Sequence, residues 1–335
     1  MKRFENYDLS GLNTFRIKAR CALYIEYDTV DELKALDYKS LPKPIMHIGA
    51  GSNLLFTKDF PGTILHSGVK FIKFVDLGLD EVLMTVGAGV VFDDFVAKTC
   101  EAGLWGAENL SLIPGEVGAA AVQNIGAYGV EVKDIIAGVV CLDTSDWSKI
   151  IFKTPECRYA YRDSMFKQQK GRYIITSVLF RLTRKYSPKL DYGGVRATLG
   201  ENTSNLTPGQ LREAIIKIRR QKLPDPAEIG NAGSFFKNPV MPREQYEAIV
   251  QAEDEVPHYD LPDEMVKVPA AWMIERCGFK GKRLGGAQVY EKQPLVIINA
   301  NGEATAQDIL DLEKQIITEV KRRFGVELHP EVEHV

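Results

Sequence analysis

Cysteine is scarce in this chain of 335 residues, and the few cysteines present exclude two structural roles. There are five, an odd number, and no two of them form a C-x-x-C pair. A disulfide framework uses an even set and a structural zinc site uses closely spaced pairs, so neither is expected. We expect reduced thiols at Cys21, Cys100, Cys141, Cys157 and Cys277.

Histidine is scarce as well, and the chain has neither a strong net charge nor a long apolar run. The five histidines come close together only at His329 and His334, so no metal site is expected. The formal net charge is −3, whereas a nucleic-acid-binding domain would be basic. No run is apolar enough to cross a bilayer, and the first residues lack the apolar core of a signal peptide. We therefore expect a cytoplasmic protein without nucleic-acid or membrane partners. We also expect it to be a monomer.

Short β-like runs dominate the first half of the chain and are separated by turn-forming residues. They lie at 22–27, 44–50, 62–67, 81–89, 138–144, 149–154 and 173–182. Helices are predicted over 29–38, with Thr29 as the cap, and over 91–104, with Gly103 as the stop. This pattern indicates a mixed α+β region in which strands outnumber helices.

The composition changes at residues 184–209, which are rich in Gly, Ser, Thr, Asn and Pro and predict a linker or long loop. Beyond them a helix is predicted from Thr207 to Pro224, since Thr207 is a cap and Pro208 suits the first helical position. A strand at 294–300 and a helix at 305–324 follow.

A β-like run leads into the stretch GAGSNL at residues 49–54. Glycines let a backbone approach a phosphate closely, and successive N–H groups can form an anion-binding nest. The stretch lacks the third glycine of a dinucleotide fingerprint and the GK[ST] of a P-loop. It predicts either a phosphate nest or an ordinary tight turn after a strand.

Small residues dominate a second stretch, SLIPGEVGAAAVQNIGAYGVEV, at residues 111–132. A segment with so many glycines and alanines fills a core poorly but can line a flat slot with backbone groups, which suits a planar heteroaromatic ring. Close packing of two backbones explains the composition equally well.

Three polar residues are further candidates. Arg162, in YRDSMFK, is suited either to a carboxylate or enolate ligand or to a surface ion pair. Ser234, in GNAGSFFKNP, follows two glycines that free its backbone for an unusual turn, and a lysine and an asparagine add donors nearby. Glu331, in the tail motif HPEV, has no distinction at this level, where a solvated surface acid is the alternative to a functional residue.

Six motifs occur in this order: GAGSNLLF, LIPGEVGAAAVQNIGAYG, YRDSMFK, KLPDP, GNAGSFFKNP and HPEV. Together they resemble the UDP-N-acetylenolpyruvoylglucosamine reductase (UDP-N-acetylmuramate dehydrogenase) family, from about residue 11 to the last residues. The loop LDYGGV at 190–195 suggests the branch of the family with a tyrosine-bearing substrate loop.

The resemblance implies an α+β fold. It joins a two-lobed FAD-binding domain of the vanillyl-alcohol-oxidase (PCMH) type to a C-terminal α/β substrate-binding domain. We expect an N-terminal segment at 1–15, the FAD-binding domain at 16–186 with its lobes split near 67–70, a linker with the substrate loop at 187–206, and the C-terminal domain at 207–335. FAD would be bound non-covalently, and NADPH would be the co-substrate.

The implied reaction reduces UDP-N-acetyl-3-O-(1-carboxyvinyl)-glucosamine to UDP-N-acetylmuramate, a step of peptidoglycan precursor synthesis. Hydride passes from NADPH to N5 of FAD and then to C3 of the enolpyruvyl group, and Ser234 gives a proton to C2. Negative charge builds on an enolate before that proton arrives. By the same resemblance, Arg162 stabilises the enolate and Glu331 orients the reacting end, so these three are the expected catalytic residues.

The resemblance also implies two sets of binding residues. The expected flavin contacts are Gly49, Ala50, Gly51, Ser52, Asn53, Leu54, Pro114, Gly115, Gly118, Ala119, Gln123, Asn124, Gly126, Ala127, Tyr128 and Arg162. The expected substrate contacts are Tyr128, Tyr192, Arg219, Lys222, Ser234, Asn238 and Gln293. Tyr192 and Lys222 would reach the diphosphate, with Arg219 assisting.

One residue departs from the family pattern, and two other functions are possible. Members of the family commonly have a basic residue where this chain has Glu333, which weakens the expectation of tail contacts with the ligand. The alternatives are an FAD-dependent sugar or lactone oxidase of the same fold and a non-catalytic UDP-sugar binder. The C-terminal motifs disfavour the oxidase, and the intact set of Arg162, Ser234 and Glu331 disfavours the binder.

Overall fold

A computed structural model of the protein describes residues 1–192, 194–200 and 203–335. Gly193, Glu201 and Asn202, which belong to the predicted linker, lie outside the described residues. The chain divides into two compact units. The first unit comprises Met1–Tyr7, Cys21–Ala50 and Phe60–Gln221, and the second comprises Asp8–Arg20, Gly51–Asp59 and Lys222–Val335. The domain boundaries expected from the resemblance stay predictions.

The elements are numbered in chain order. The strands are β1 (Lys2–Asp8), β2 (Arg20–Tyr27), β3 (Ile45–Ile48), β4 (Leu54–Leu55), β5 (Phe60–Ser67), β6 (Ile72–Gly78), β7 (Glu81–Gly87), β8 (Gly126–Ala127), β9 (Val130–Glu131), β10 (Ile136–Asp143), β11 (Lys149–Lys153), β12 (Tyr173–Thr183), β13 (Gly230–Ser234), β14 (Val240–Pro242), β15 (Tyr259–Leu261), β16 (Met265–Lys267), β17 (Arg283–Leu284), β18 (Ala287–Val289), β19 (Val296–Asn299) and β20 (Glu333–His334). The α-helices are α1 (Val30–Lys34), α2 (Phe92–Glu101), α3 (Val117–Gln123), α4 (Met165–Gln168), α5 (Val195–Leu199), α6 (Pro208–Lys222), α7 (Arg243–Ala252), α8 (Ala270–Arg276) and α9 (Ala306–Phe324). Short 3₁₀ turns lie at Ser10–Leu12, Glu108–Leu110, Val132–Asp134 and Thr154–Cys157.

The first unit contains a four-stranded sheet in the order β1-β2-β5-β3, in which β5 runs parallel to both β2 and β3. Helix α1 begins at the predicted cap, because the Thr29 hydroxyl accepts the Glu32 N–H at 3.1 Å. It ends at Lys34, earlier than the pattern predicted. The edge strand β1 was not predicted.

A five-stranded sheet in the same unit has the order β11-β10-β12-β7-β6 and is antiparallel throughout. Its apolar face packs with α2 and α3, and the rings of Phe95 on α2 and Phe180 on β12 stack with centroids 4.3 Å apart. Gly103 has φ +69° just beyond α2, as its predicted role of helix stop requires. Strand β6 was not predicted.

The predicted linker contains regular structure that its composition did not indicate. Helix α5 forms within it, and Leu190 and Val195 are buried against Trp105 and residues of α6. Helix α6 begins as predicted, since the Thr207 hydroxyl accepts the Gln210 N–H at 3.2 Å.

The second unit is built on a sheet in the order β13-β19-β18-β17. Helix α9 buries its predicted apolar stripe in the core of this unit, and Thr305 with Asp308 forms a capping box at its start. A three-stranded sheet, β14-β16-β15, and a parallel pair, β4 with β20, complete the unit. Among the residues with described structure, no helix is both long and apolar enough to cross a membrane.

Candidate active site

The second glycine-rich stretch folds around α3 in the first unit. One face of this helix is buried, including Val117, Gly118 and Ala121, so the stretch fills a core better than its composition predicted. A Cβ added to Gly118 would lie 3.0 Å from the Cβ of Ala88. Close approach of two chain segments, the alternative left open above, therefore holds at this glycine.

The other side of the same stretch is only half-buried, at Gly115, Ala119, Gln123, Gly126 and Ala127. These residues apart from Gln123 have no side chain larger than a methyl group, so backbone groups remain accessible. Such a surface fits the planar ring system of a flavin, whose edge atoms can meet backbone donors and acceptors.

The chain just beyond α3 fixes Arg162. The Arg162 guanidinium donates from Nη2 to the carbonyl of Gly126 at 2.8 Å and from Nη1 to the carbonyl of Asn124 at 3.4 Å. Asn124 is itself buried, and its side-chain amide donates to the carbonyl of Ala160 at 2.8 Å. The positive charge of Arg162 therefore has a set orientation before any ligand binds, which is the condition for electrostatic preorganisation.

Three predicted site residues of this unit have a left-handed backbone. The φ angles are +45° at Asn124, +48° at Tyr128 and +54° at Arg162. This region is uncommon for residues with a side chain and costs of order 1 kcal/mol or more, so surrounding contacts must maintain it. Backbone outliers of this kind cluster at ligand-binding sites.

Lys167 is a residue of this site that the sequence reasoning missed. Its Nζ donates to Gln123 Oε1 at 2.7 Å and to the carbonyl of Arg162 at 3.3 Å. It thus connects a predicted flavin contact with the backbone of the predicted catalytic arginine. The only signal was its place in the motif YRDSMFK, in which Ser164 caps the short helix α4.

Arg219, on α6, is a largely buried cation. Burial lowers the pKa of its guanidinium; the nearby Tyr128 and Asp93 raise it, and the positive charge of Arg162 lowers it further. Asp93 pairs with Arg212 at 2.6 Å, and within the described part of the chain Arg219 Nε has no hydrogen-bond partner. A buried arginine in this state fits a site for an anionic ligand group.

Tyr192 lies beside the second glycine-rich stretch, because a Cβ added to Gly129 would be 3.4 Å from the Cβ of Tyr192. The fully buried Asn109 donates from its side chain to the carbonyls of Tyr128 and Lys189, each at 2.9 Å. It ties the end of the stretch to the loop that carries Tyr192. Nothing in the sequence singled out Asn109.

A charged network lies at the start of α3. His66 Nε2 is 2.9 Å from Glu116 Oε1, and His66 Nδ1 is 3.1 Å from Glu26 Oε2. Burial acts to lower the pKa of His66, but the hydrogen bonds to Glu116 and Glu26 outweigh it and hold the pKa above its ordinary 6.5. A Cβ added to Gly49 would be 3.2 Å from Glu116 Oε2, so the network also lies against the first glycine of the other stretch.

In the second unit, Gly51 approaches the backbone of Leu12. Gly51 has φ +66°, and an added Cβ would lie 1.9 Å from the Leu12 carbonyl oxygen. Packing within the protein is therefore enough to require glycine here, and the phosphate nest stays a prediction. Two residues on, the Asn53 side chain donates to the carbonyl of Glu331 at 3.1 Å.

Ser234 is placed by an irregular strand. Asn231 pairs with Ile298 and Ser234 with Val296, so β13 has one residue more than β19 between these pairs. Gly233, with φ +71°, allows this bulge, and its N–H donates to Asn231 Oδ1 at 2.9 Å. Bulges of this kind re-aim a side chain and recur next to active sites. The structure thus has a bulged strand at this glycine and not the unusual turn that was predicted.

Backbone pairing brings Glu331 next to the strand of Ser234. The Glu331 N–H donates to the carbonyl of Phe235 at 2.8 Å, and Phe236 forms an antiparallel bridge with Pro330. Glu331 is half-buried, which disfavours the alternative of a solvated surface acid.

Three further predicted substrate residues lie in the second unit. The Asn238 Oδ1 accepts the N–H of Ala270 at 3.0 Å at the start of α8, which leaves the amide donors of Asn238 for a ligand. Gln293 lies in the turn before β19 and accepts the Leu295 N–H at 3.4 Å. Lys222 is exposed at the end of α6.

The structure thus gathers predicted site residues within each unit. In the first unit, hydrogen bonds, packing or charge join Asn124, Gly126, Tyr128, Arg162, Tyr192 and Arg219. In the second unit, hydrogen bonds and strand pairing join Asn53, Ser234 and Glu331. Across residues 1–192, 194–200 and 203–335, no group of three or more His, Cys, Asp or Glu could hold a metal ion.

Two family models match the chain. One is an FAD binding domain, over residues 22–146, and the other is the C-terminal domain of UDP-N-acetylenolpyruvoylglucosamine reductase, over residues 225–335. The first match confirms the predicted FAD-binding domain, and the second agrees with the predicted C-terminal domain.

Curated relatives named UDP-N-acetylenolpyruvoylglucosamine reductase match nearly the whole chain, among them three from different genera. The relative from Bacteroides fragilis (strain YCH46) is 46% identical over 333 residues, which are 99% of each chain. The relative from Porphyromonas gingivalis (strain ATCC BAA-308 / W83) is 45% identical and covers 99% of this chain and 98% of its own. The relative from Neisseria gonorrhoeae (strain ATCC 700825 / FA 1090) is 43% identical, and the match covers 97% of this chain and 95% of that relative.

A solved structure, that of UDP-N-acetylenolpyruvylglucosamine reductase from Thermus caldophilus, matches with a TM-score of 0.69 and 23% identity. The match covers 99% of this chain and 98% of that one. This likeness establishes the fold. Together with the two family models, it confirms the predicted combination of a PCMH-type FAD-binding domain with a C-terminal domain.

Proposed function

Because this chain belongs to the UDP-N-acetylenolpyruvoylglucosamine reductase family, we propose that it reduces the enolpyruvyl ether of UDP-N-acetylglucosamine to UDP-N-acetylmuramate. The chain is an oxidoreductase with FAD as its cofactor. NADPH is the proposed electron donor, and peptidoglycan precursor synthesis in the cytoplasm is the proposed setting. The observation that carries the proposal is the bulged strand that presents Ser234 beside Glu331.

When bound, FAD supplies C3 of the enolpyruvyl group with a hydride taken from NADPH. The protein must then accommodate the enolate and deliver one proton to C2. The half-exposed small residues along α3 suit the flavin ring, and Gly49 to Leu54 are the proposed contacts of the pyrophosphate.

Ser234 is the proposed proton donor to C2. A free serine hydroxyl is a very weak acid, but an enolate in a site that excludes water and contains fixed cations is a strong enough base to take its proton. The bulge at Gly233 sets the direction of the Ser234 side chain. Glu331 is the proposed orienting group for the reacting end of the substrate.

Arg162 is the proposed stabiliser of the enolate. Its guanidinium is held by two backbone carbonyls, so little reorganisation is needed when negative charge develops. We assign Arg219 to an anionic group of the substrate as well, because it is a buried cation that lies near Arg162 and Tyr128. Tyr192, Lys222, Asn238 and Gln293 complete the proposed substrate contacts.

Stopped-flow absorbance of the FAD-loaded protein tests the proposal by following two half-reactions separately. In Ser234→Ala we expect flavin reduction by NADPH to be nearly unchanged and reoxidation by the enolpyruvyl sugar nucleotide to slow by about 10²–10⁴-fold, the usual share of a general acid. Ser40→Ala is the matched control, since the exposed Ser40 hydroxyl only donates to the Asp37 carbonyl. Equal losses in both half-reactions would contradict the role of Ser234.

The same instrument separates the two alternative functions. Reoxidation of the reduced flavin by oxygen, with no acceleration by the enolpyruvyl sugar nucleotide, would point to an oxidase. Binding of the sugar nucleotide without any flavin reoxidation would point to a binder.

A further inference from the structure

The C-terminal segment of the second unit, residues 329–335, takes part in two backbone ladders. In the first, Lys237 N–H donates to the carbonyl of His329 at 3.0 Å and Glu331 N–H donates to that of Phe235 at 2.8 Å. In the second, Glu333 N–H donates to the carbonyl of Asn53 at 2.9 Å. The segment therefore runs first along residues 235–237, just after Ser234, and then along the end of the first glycine-rich stretch.

Glu331 lies where these two ladders meet. Its N–H belongs to the first ladder, and its carbonyl accepts the Nδ2–H of Asn53 at 3.1 Å. Both backbone polar groups of Glu331 therefore have hydrogen-bond partners, and the partner of its carbonyl is the side chain of Asn53. In an extended segment, the orientation of the peptide groups decides where the side chain points, so Asn53 helps to aim the Glu331 carboxyl group.

The neighbours of Asn53 keep this arrangement rigid. Leu55 and Val332 are almost fully buried in one apolar cluster, which fixes the two parallel segments against each other just beyond the Asn53–Glu331 hydrogen bond. Asn53 itself is only half-buried. Its hydrogen bond to the Glu331 carbonyl is therefore a contact in addition to the packing of the cluster.

We propose that Asn53 is a positioning residue for the substrate-reduction step, since its side-chain amide fixes the backbone of Glu331 and so directs the Glu331 carboxyl group beside Ser234. This inference rests on the proposed function. It also gives Asn53 a task other than the flavin contact expected from the sequence.

Asn53→Asp tests the inference in the FAD-loaded full chain, because it preserves the shape of the side chain and replaces the Nδ2 donor by an acceptor. A displacement of about 1 Å at a reacting group can cost about 100-fold in rate, so we expect flavin reoxidation by the enolpyruvyl sugar nucleotide to slow by about that factor. Flavin reduction by NADPH should change by less than about threefold. Because the aspartate adds a negative charge beside the proposed pyrophosphate contacts, FAD binding is judged in Asn53→Ala, in which the FAD dissociation constant, measured by flavin fluorescence, should change by less than about threefold.

Thr57→Val is the matched control, because the Thr57 hydroxyl donates to the carbonyl of Val335 at 2.8 Å in the same segment but away from Glu331. We expect normal reoxidation in this variant. A second comparison uses Glu331→Gln: if Asn53 acts through Glu331, adding Asn53→Asp to Glu331→Gln should slow reoxidation by less than about threefold more.

Several results would overturn the inference. One is normal reoxidation together with FAD binding weakened by about tenfold or more, which would make Asn53 a cofactor contact. Another is equal slowing in Thr57→Val, which would indicate general loosening of the segment. If Asn53→Asp does not retain FAD, the rates of flavin reduction and reoxidation are measured on Asn53→Ala, and the same results support or overturn the inference. Absence of substrate-driven reoxidation in the unmodified protein would overturn the proposed function, and this inference with it.

Discussion

Gly51 and Gly118 belong to the two glycine-rich stretches predicted to bind FAD, and their surroundings differ. Gly51 has a left-handed backbone and meets a carbonyl oxygen from a segment 39 positions earlier in the chain, Leu12. Gly118 lies in regular helix and meets a methyl group, that of Ala88. Both glycines therefore let another segment come close, but Gly51 also needs a left-handed backbone and leaves no room for a Cβ, a distinction that composition does not reveal.

The largest expected effect comes from Gly51→Ala. The added Cβ would overlap the Leu12 carbonyl oxygen at 1.9 Å, and φ +66° is unfavourable for alanine. We expect the free energy of unfolding, measured by urea denaturation, to fall by about 4 kcal/mol or more.

Gly325→Ala is the control for backbone strain alone. Gly325 has the same φ of +66°, but nothing lies within 4 Å of an added Cβ. A loss of about 1 kcal/mol is expected there. If the free energy of unfolding falls by the same amount in Gly51→Ala and Gly325→Ala, the contact with Leu12 does not contribute to stability. The contrast between the two stretches would then be wrong.

The second effect concerns the charged network at the start of α3. The stability that His66 gains from Glu116 and Glu26 is complete below pH 6.5, its ordinary pKa, and is lost as pH rises through the higher pKa of the folded protein. Glu26 also accepts hydrogen bonds from Lys2 at 2.6 Å and Tyr24 at 2.9 Å.

His66→Gln should therefore lower the free energy of unfolding by about 2 kcal/mol at about pH 6, and by less at about pH 9. His258→Gln is the control, because His258 is exposed and 3.8 Å from Asp260. If His66→Gln lowers the free energy of unfolding by the same amount at both pH values, the positive charge of His66 does not stabilise the start of the second stretch.

The smallest expected effect is that of Gly118→Ala. The added Cβ would lie 3.0 Å from the Ala88 Cβ, which should cost about 2 kcal/mol of overpacking. Alanine regains about 1 kcal/mol of helix propensity, so we expect a net loss of about 1 kcal/mol in urea denaturation. Gly11→Ala, where nothing lies within 4 Å, is the control. A loss as large as that of Gly51→Ala would remove the difference between the two stretches.

Much of the secondary structure could be predicted from local signals. The caps at Thr29 and Thr207 and the stop at Gly103 each depend on one residue type at one position, which can be read from the sequence. Strands β1 and β6 were missed because they are edge strands with mostly exposed side chains, so their pattern shows no buried face.

Candidate site residues were predicted through motifs, and two polar residues near them were missed for a physical reason. Asn109 and Lys167 act through hydrogen bonds to partners far away in sequence, such as Lys189 and Gln123, and no local pattern encodes such pairs. The same holds for the link between Asn53 and Glu331, which lie 278 positions apart. Motif order predicts candidate residues, but folding decides which of them touch.

The extra residue in β13 has a consequence for judging distant homologues. Along a strand, neighbouring side chains point to opposite faces, so a homologue with one residue fewer between Asn231 and Ser234 would turn its serine to the other face. Such a protein would still align at the serine, although its hydroxyl would no longer point the same way. We therefore expect an insertion or deletion at this point to abolish the proposed proton transfer even where the serine itself is present.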